Sequence, residues 1–174
     1  MVAALGVAKR PVPNYLQALS DTYLPPAKTA QVAFAMHCFW TGEMKLGQLE
    51  GVLTTEAGWI EGHEVTLVHY DPARVSLQAL VKKAHTDSCA AHVYLGKADQ
   101  KLKVPQERVS VVDLSQAYRK PRASDQKRQL QGTVFARISL SPKQSTKVNA
   151  WCRVNQEEAR SWLSPSQVAL LEKR

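Results

Sequence analysis

The spacing of apolar and polar positions changes period several times along the chain, and each change marks an element. Residues 29–36 alternate small apolar and aromatic side chains and read as a first strand. After Cys38-Phe39-Trp40, residues 41–49 place Met44, Leu46 and Leu49 at helix-compatible spacing, with Glu50-Gly51 as a stop. Residues 52–59 and 64–70 read as the second and third strands, joined through Ile60-Glu61-Gly62-His63, whose glycine suits a hairpin. Asp71-Pro72 closes the third strand, because proline donates no ladder bond. Ser76 is an N-cap for a helix over 77–85, where Leu77, Leu80, Val81 and Ala84 fall at i, i+3, i+4 and i+7. Residues 90–95 form a fourth strand, ended by Gly96.

The order strand, helix, strand, strand, helix, strand is that of a split β-α-β unit. The predicted fold class is α+β: a ferredoxin-like core with an antiparallel four-stranded sheet and two helices, plus a mainly helical C-terminal extension. The chain divides into an N-terminal arm, 1–28, with one or two helical turns over 14–22, a core, 29–96, and an extension, 97–174, packed on the core. Within the extension, 109–112 reads as a short strand, a loop runs through Pro121, and 124–130, 142–151 and 164–173 read as helices. Ser164-Pro165 supplies the last helix with a cap and a first-turn proline.

This topology gives the apolar run before Cys38 a chemical meaning. With strand order four-one-three-two and right-handed crossovers, strand one lies between strands three and four and runs antiparallel to both. Its C-terminal end, with Cys38, then meets the start of strand three at Glu64 and the chain just before strand four at Cys89. Strand two brings Trp59 to the same rim. A thiol at the start of a helix is favoured as thiolate. A carboxyl group roofed by Phe39, Trp40 and Trp59 is partly desolvated, which favours its protonated form. A thiolate nucleophile, a neutral acid and an aromatic cradle suit reduction of a methionine sulfoxide. Cys38 attacks sulfur, Glu64 protonates the oxygen, and the rings hold the methyl group. The resulting sulfenic acid condenses with a second thiol to a disulfide; Cys89 is the favoured resolving residue and Cys152 the alternative.

Composition narrows the surroundings. The net charge is +8, and it is uneven: −1 over residues 1–95 and +9 over 96–174. The cations come singly and in pairs without interleaved aromatics, a pattern that does not favour specific nucleic-acid binding. Three cysteines are too few for a secreted disulfide scaffold and lack the close pairing of a structural zinc site. The first cations, Lys9 and Arg10, follow the short apolar opening, the reverse of a signal peptide, and no apolar run reaches membrane-spanning length. The expectation is a cytoplasmic protein. All five histidines, His37, His63, His69, His85 and His92, share the region of Cys38 and Cys89. A zinc- or copper-binding Cys/His module is therefore a rival reading, as is a non-catalytic thiol redox adaptor.

The stretch Phe34-Ala35-Met36-His37-Cys38-Phe39-Trp40 resembles the Gly-Cys-Phe-Trp signature of the A-type peptide-methionine sulfoxide reductases. Leu49-Glu50-Gly51-Val52 with Thr54-Thr55-Glu56-Ala57-Gly58-Trp59 is similar to that family's Pro-Gly-Val and Ala-Gly-Tyr segment, and Glu64 precedes Tyr70-Asp71-Pro72 as the family's acid precedes its Tyr-Asp-Pro. The resemblance covers about residues 29–95. It implies a ferredoxin-like fold, Cys38 as nucleophile, Phe39 and Trp40 as methyl pocket, Glu64 as acid, and the S epimer of methionine sulfoxide, in peptides or free, as substrate. It implies no bound cofactor and no metal; an external reductant, thioredoxin-like or another thiol, recycles the disulfide. His37 replaces the family's glycine, and the segment between the Ala-Gly-Tyr turn and the acid is absent. Cys89 falls where a sulfoxide-contacting tyrosine would be, so the polar clamp on the sulfoxide oxygen is reduced to Glu64.

Overall fold

The computed structural model describes residues 12–98 and 108–172. The expectations for residues 1–11 and 99–107, and the end of the last helix at Lys173, lie outside the described residues. The architecture is α+β, built on a five-stranded mixed sheet in the order β2-β3-β1-β4-β5. The strands are β1 (Ala30–Ala35), β2 (Val52–Ile60), β3 (His63–Tyr70), β4 (His92–Leu95) and β5 (Val109–Val111). β1 runs antiparallel to β3 and β4, and β2 runs antiparallel to β3. β5 runs parallel to β4, so the sheet is neither four-stranded nor wholly antiparallel. β5 is the short strand read over 109–112, and it is held by the open amide row of β4, an edge that any nearby extended segment can satisfy.

Helix α1 is Asn14–Tyr23, α2 is Phe39–Gly47 and α3 is Leu77–Thr86. A four-residue helix, α4 (Leu114–Ala117), sits in the stretch expected as loop. Then follow α5 (Pro142–Trp151), α6 (Gln156–Ser161) and α7 (Pro165–Glu172). Residues 124–130, expected as one helix, are two 3-10 turns, Ala123–Asp125 and Arg128–Leu130. They are separated by Lys127 in the left-handed region at φ 50°. A continuous helix does not admit that conformation. The pull on Lys127 comes from the core, whose buried Glu43 its ammonium and amide both contact.

Alternation along β1 sends Val32, Phe34 and Met36 to the core under α3. Ala33 and Ala35 go to a second layer with Tyr94 and Leu114. Both sheet faces are therefore covered, which is why this strand reads as a continuous apolar run. A separate cluster joins Ala18 of α1 to Phe135, Val148, Cys152 and Trp162. Among the described residues no helix is long and apolar enough to cross a membrane.

Candidate active site

The site forms where the central strand hands over to α2. Pairing of β1 with β3 continues past Ala35, with the Met36 amide donating to the Glu64 carbonyl at 3.0 Å. Cys38 is extended, at φ −145° and ψ 107°, and caps α2. The first amides of a helix have no partner inside it. Here the Phe39 N–H is met by Glu64 Oε2 at 2.9 Å. The same strand supplies Thr66, whose hydroxyl donates to the Phe39 carbonyl at 3.1 Å. Trp59 is paired with Glu64 in the β2–β3 register, and its ring stands edge-on to Phe39 with centroids 5.7 Å apart. Trp40 tilts against Phe39 at 5.6 Å.

Cys38 is half-buried and unpaired as a thiol. Its side chain makes no capping bond. The side chain bonded at that helix end is Glu64, which accepts from the amide next in the chain after Cys38. Cys89 is buried in the same core as Met36 and Leu46. Its thiol donates to the Asp87 carbonyl at 3.4 Å. Burial pushes the Cys89 thiol up, helped by Asp87, against the opposing pull of Lys45 and Lys83. Cys152 closes α5 in the other cluster and donates to the Gln129 carbonyl at 3.3 Å; burial raises it too. The structure thus gathers Cys38, Phe39, Trp40, Trp59 and Glu64 at one rim, with Cys89 in the core beneath the sheet's helical face. It places Cys152 in a different core.

The aromatic residues differ in what they can offer. Phe39 is 5% exposed and is a wall, whereas Trp59 is 37% exposed and is the open surface of the set. Trp40 is engaged by the C-terminal segment: its indole N–H donates to the Asp125 carbonyl at 3.0 Å, and the Arg128 guanidinium lies 5.0 Å above its ring. An open groove of about 440 Å3 runs from Trp59 and Glu64 to His37, His63, His92 and Arg108.

The histidines do not assemble with the thiols. His63 Nδ1 is 3.0 Å from the Tyr94 hydroxyl, and His92 Nε2 is 2.9 Å from Ser110 Oγ, both beyond the opposite face of the sheet from Phe39. Burial lowers His92, as does the neighbouring His63. His69 lies between Gln31 and Glu56 and is lowered by burial. Among the described residues no group of three or more His, Cys, Asp or Glu side chains is placed to hold a metal ion.

Several residues that sequence patterns did not single out shape the site. Glu43, fully buried on α2, accepts from the Lys127 ammonium at 2.6 Å and from the Lys127 amide at 2.8 Å. Burial pushes Glu43 up, with Lys127 pulling against it. Trp59 and Arg119 exchange both backbone hydrogen bonds at 2.9 Å. Tyr118 donates to the Ala57 carbonyl at 2.6 Å and lies where any Cβ on Gly58 would have to be. A buried glutamate at the fifth position after Cys38 was the one local signal; nothing in the sequence marks its partner 84 residues away.

No family model matches the chain. The matches to the individual proteins named below each cover about a third of the chain. The chain is 40% identical over 74 aligned residues to "Peptide methionine sulfoxide reductase MsrA 1" of Rhizobium meliloti (strain 1021), covering 33% of this chain and 34% of that protein. It is 39% identical over 74 residues to "Peptide methionine sulfoxide reductase MsrA" of Rhodospirillum centenum, and 34% identical over 74 residues to the protein of the same name from Salinispora tropica, with the same coverage. The chain spans about a third of the length of these curated relatives. Over this stretch the chain is similar to the MsrA-type peptide methionine sulfoxide reductases.

Proposed function

We propose that the protein is an oxidoreductase that reduces methionine sulfoxide, the S epimer, in peptides or as the free amino acid. The site occupies one rim of a ferredoxin-like core spanning residues 29–96. The observation that carries this reading is the bond from the Phe39 amide to Glu64 Oε2, which fixes a carboxyl group at the helix end that Cys38 caps, beside the exposed face of Trp59.

The chemistry follows from these groups. The substrate methyl lies against Phe39 and Trp59, with Trp40 behind. The Cys38 thiolate attacks the sulfoxide sulfur while Glu64 delivers a proton to the oxygen from Oε1, the oxygen not engaged by Phe39. Attack joins Cys38 Sγ to the substrate sulfur; the protonated oxygen then shifts to Cys38 as that bond breaks and its electron pair returns to the substrate, so the sulfoxide is reduced to the thioether and the thiol is oxidised to a sulfenic acid. Cys89 attacks that sulfenic acid, a disulfide forms and water leaves. An external dithiol, thioredoxin-like or small, reduces the disulfide, and no bound cofactor takes part. The location of Cys89 in the core that holds Met36, with Cys152 in a different cluster, supports it over Cys152 as the resolving residue. Free thiols throughout the chain suit the cytoplasm.

The test incubates the protein with each sulfoxide epimer of a blocked methionine and dithiothreitol, then maps disulfides after a single turnover without reductant. Loss of the S epimer alone, abolished in Cys38→Ser, and a Cys38-Cys89 disulfide are expected. Loss of neither epimer, or loss that survives Cys38→Ser, overturns the reaction; a Cys38-Cys152 bond overturns the resolving role of Cys89.

A further inference from the structure

Two grooves meet at Trp59. One, of about 440 Å3, runs from Trp59, Gly62 and Glu64 to Arg108. The other, of about 570 Å3, runs from Trp59, Gly62 and Glu61 past Gln116 to Arg119. Gly62 lies on the shared boundary at φ 82°, and a Cβ there would meet nothing within 4 Å, so the two grooves form one open track across the sheet rim. Either groove alone has the size of a small-molecule pocket. Joined, they exceed what a single amino acid fills and suit an extended chain, which advances about 3.3 to 3.6 Å per residue.

The charges along this track are unevenly satisfied. Glu64 is held by the Phe39 amide and Glu61 by the Tyr94 hydroxyl at 3.3 Å. At the two ends the exposed guanidinium groups of Arg108 and Arg119 enter none of the ion pairs among the described residues. Both are set on fixed backbone. The Arg119 main chain is bonded in both directions to Trp59, and the Arg108 carbonyl accepts from Val93 at 2.9 Å. His37, His63 and His92 add hydrogen-bonding groups beside Arg108. A carboxylate is the partner a guanidinium fork fits best.

We infer that the track binds an extended peptide bearing acidic side chains on both sides of the oxidised methionine, one reaching Arg108 and the other Arg119. The inference rests on the reading under "Proposed function" for the central residue and deepens it: the substrate class is acidic polypeptide rather than free methionine sulfoxide.

Binding is measured by calorimetry with the Cys38→Ser protein, so that no turnover intervenes. The probes are a blocked pentapeptide with methionine sulfoxide between aspartates, its lysine counterpart, and an oligothymidylate. Wild-type turnover of blocked methionine sulfoxide is assayed alongside. The acidic peptide is expected to bind at least about tenfold more tightly than the lysine peptide at low ionic strength, with the margin shrinking as salt screens the pairs. Arg108→Glu and Arg119→Glu are each expected to remove several-fold of that margin, with unchanged thermal unfolding because both side chains are exposed. Equal affinities for the two peptides, no effect of either reversal, or tighter binding of the oligothymidylate overturns the inference. If blocked methionine sulfoxide is still turned over in that case, the reaction stands without the peptide track. Tight, arginine-dependent binding of the acidic peptide without any turnover supports the track and overturns the reaction.

Discussion

Glu64 serves two ends with two oxygens. Oε2 accepts from the Phe39 amide and so helps to fix where α2 begins. The proton-donating role proposed for Glu64 falls to the other oxygen. A substitution can separate the two. Glu64→Gln keeps an oxygen for the Phe39 amide but has no acidic proton. Its thermal unfolding should stay near that of the wild type while kcat/KM for sulfoxide reduction falls by about 10²- to 10⁴-fold, the usual range for loss of a general acid. Glu64→Ala loses the helix contact as well and should cost about 1 kcal/mol of stability in addition. Unimpaired turnover by Glu64→Gln would exclude Glu64 as the acid.

Helix α2 is tied to the chain's later half at three points along its length. Near its start the Trp40 indole reaches Asp125, at its middle Glu43 pairs with Lys127, and at its end the Lys147 ammonium donates to the carbonyls of Gly47 and Leu49 at 2.8 and 2.6 Å. Burial drives Lys147 well down, with Lys143 and Arg74 acting in the same direction, so its position depends on those carbonyl acceptors and on the Trp162 ring 5.3 Å away. The middle tie is the most consequential, because Glu43 is fully buried. Lys127→Ala leaves that carboxylate without its counter-charge and should destabilise the protein by about 3 kcal/mol in urea unfolding. The double variant Glu43→Gln/Lys127→Met, which buries no charge, should recover most of the loss. A single-variant loss below about 1 kcal/mol would show that water reaches Glu43 and that the pair does not hold the helix.

At the scale of the molecule, α1 joins the sheet layer to the second cluster through one carboxylate. Asp21 meets Arg74, just ahead of α3, at 3.0 Å and Lys143, on α5, at 2.9 Å. Burial alone would raise Asp21, but the hydrogen bond and charge of Lys143, with Gln17 and Arg74, outweigh it and hold the carboxyl below its ordinary value of 3.8. The folded state therefore binds this proton less readily than the unfolded state. The stability contributed by Asp21 is complete above the ordinary value and is lost as pH falls through the lowered one. Urea midpoints followed downward from neutrality should drop in that acid range, and Asp21→Asn should lower the midpoint at neutral pH and flatten the acid limb. An acid limb identical in Asp21→Asn would remove this carboxylate from the account.

Local patterns determined a good deal. The four strands β1 to β4 and the helices α3 and α5 were legible from period and capping residues, because a face that must be buried repeats every two or 3.6 residues. Strand order then followed from connectivity, and with it the meeting of Trp59 and Glu64 at the rim where β1 leads to Cys38. The limits have the same physical origin. Periodicity states which face is apolar; it does not state what covers that face. The short strand at 109–111 was legible but its parallel pairing with β4 was not, Lys127 breaks an expected helix because Glu43 lies 84 positions earlier, and Arg119 completes the rim by pairing with Trp59. Each depends on contacts between residues far apart in the chain, which leave no local trace. The thiol, the acid and the aromatic rings are a matter of sequence; the grooves that give Trp59 its neighbours, and the arginines at their ends, were decided by tertiary packing.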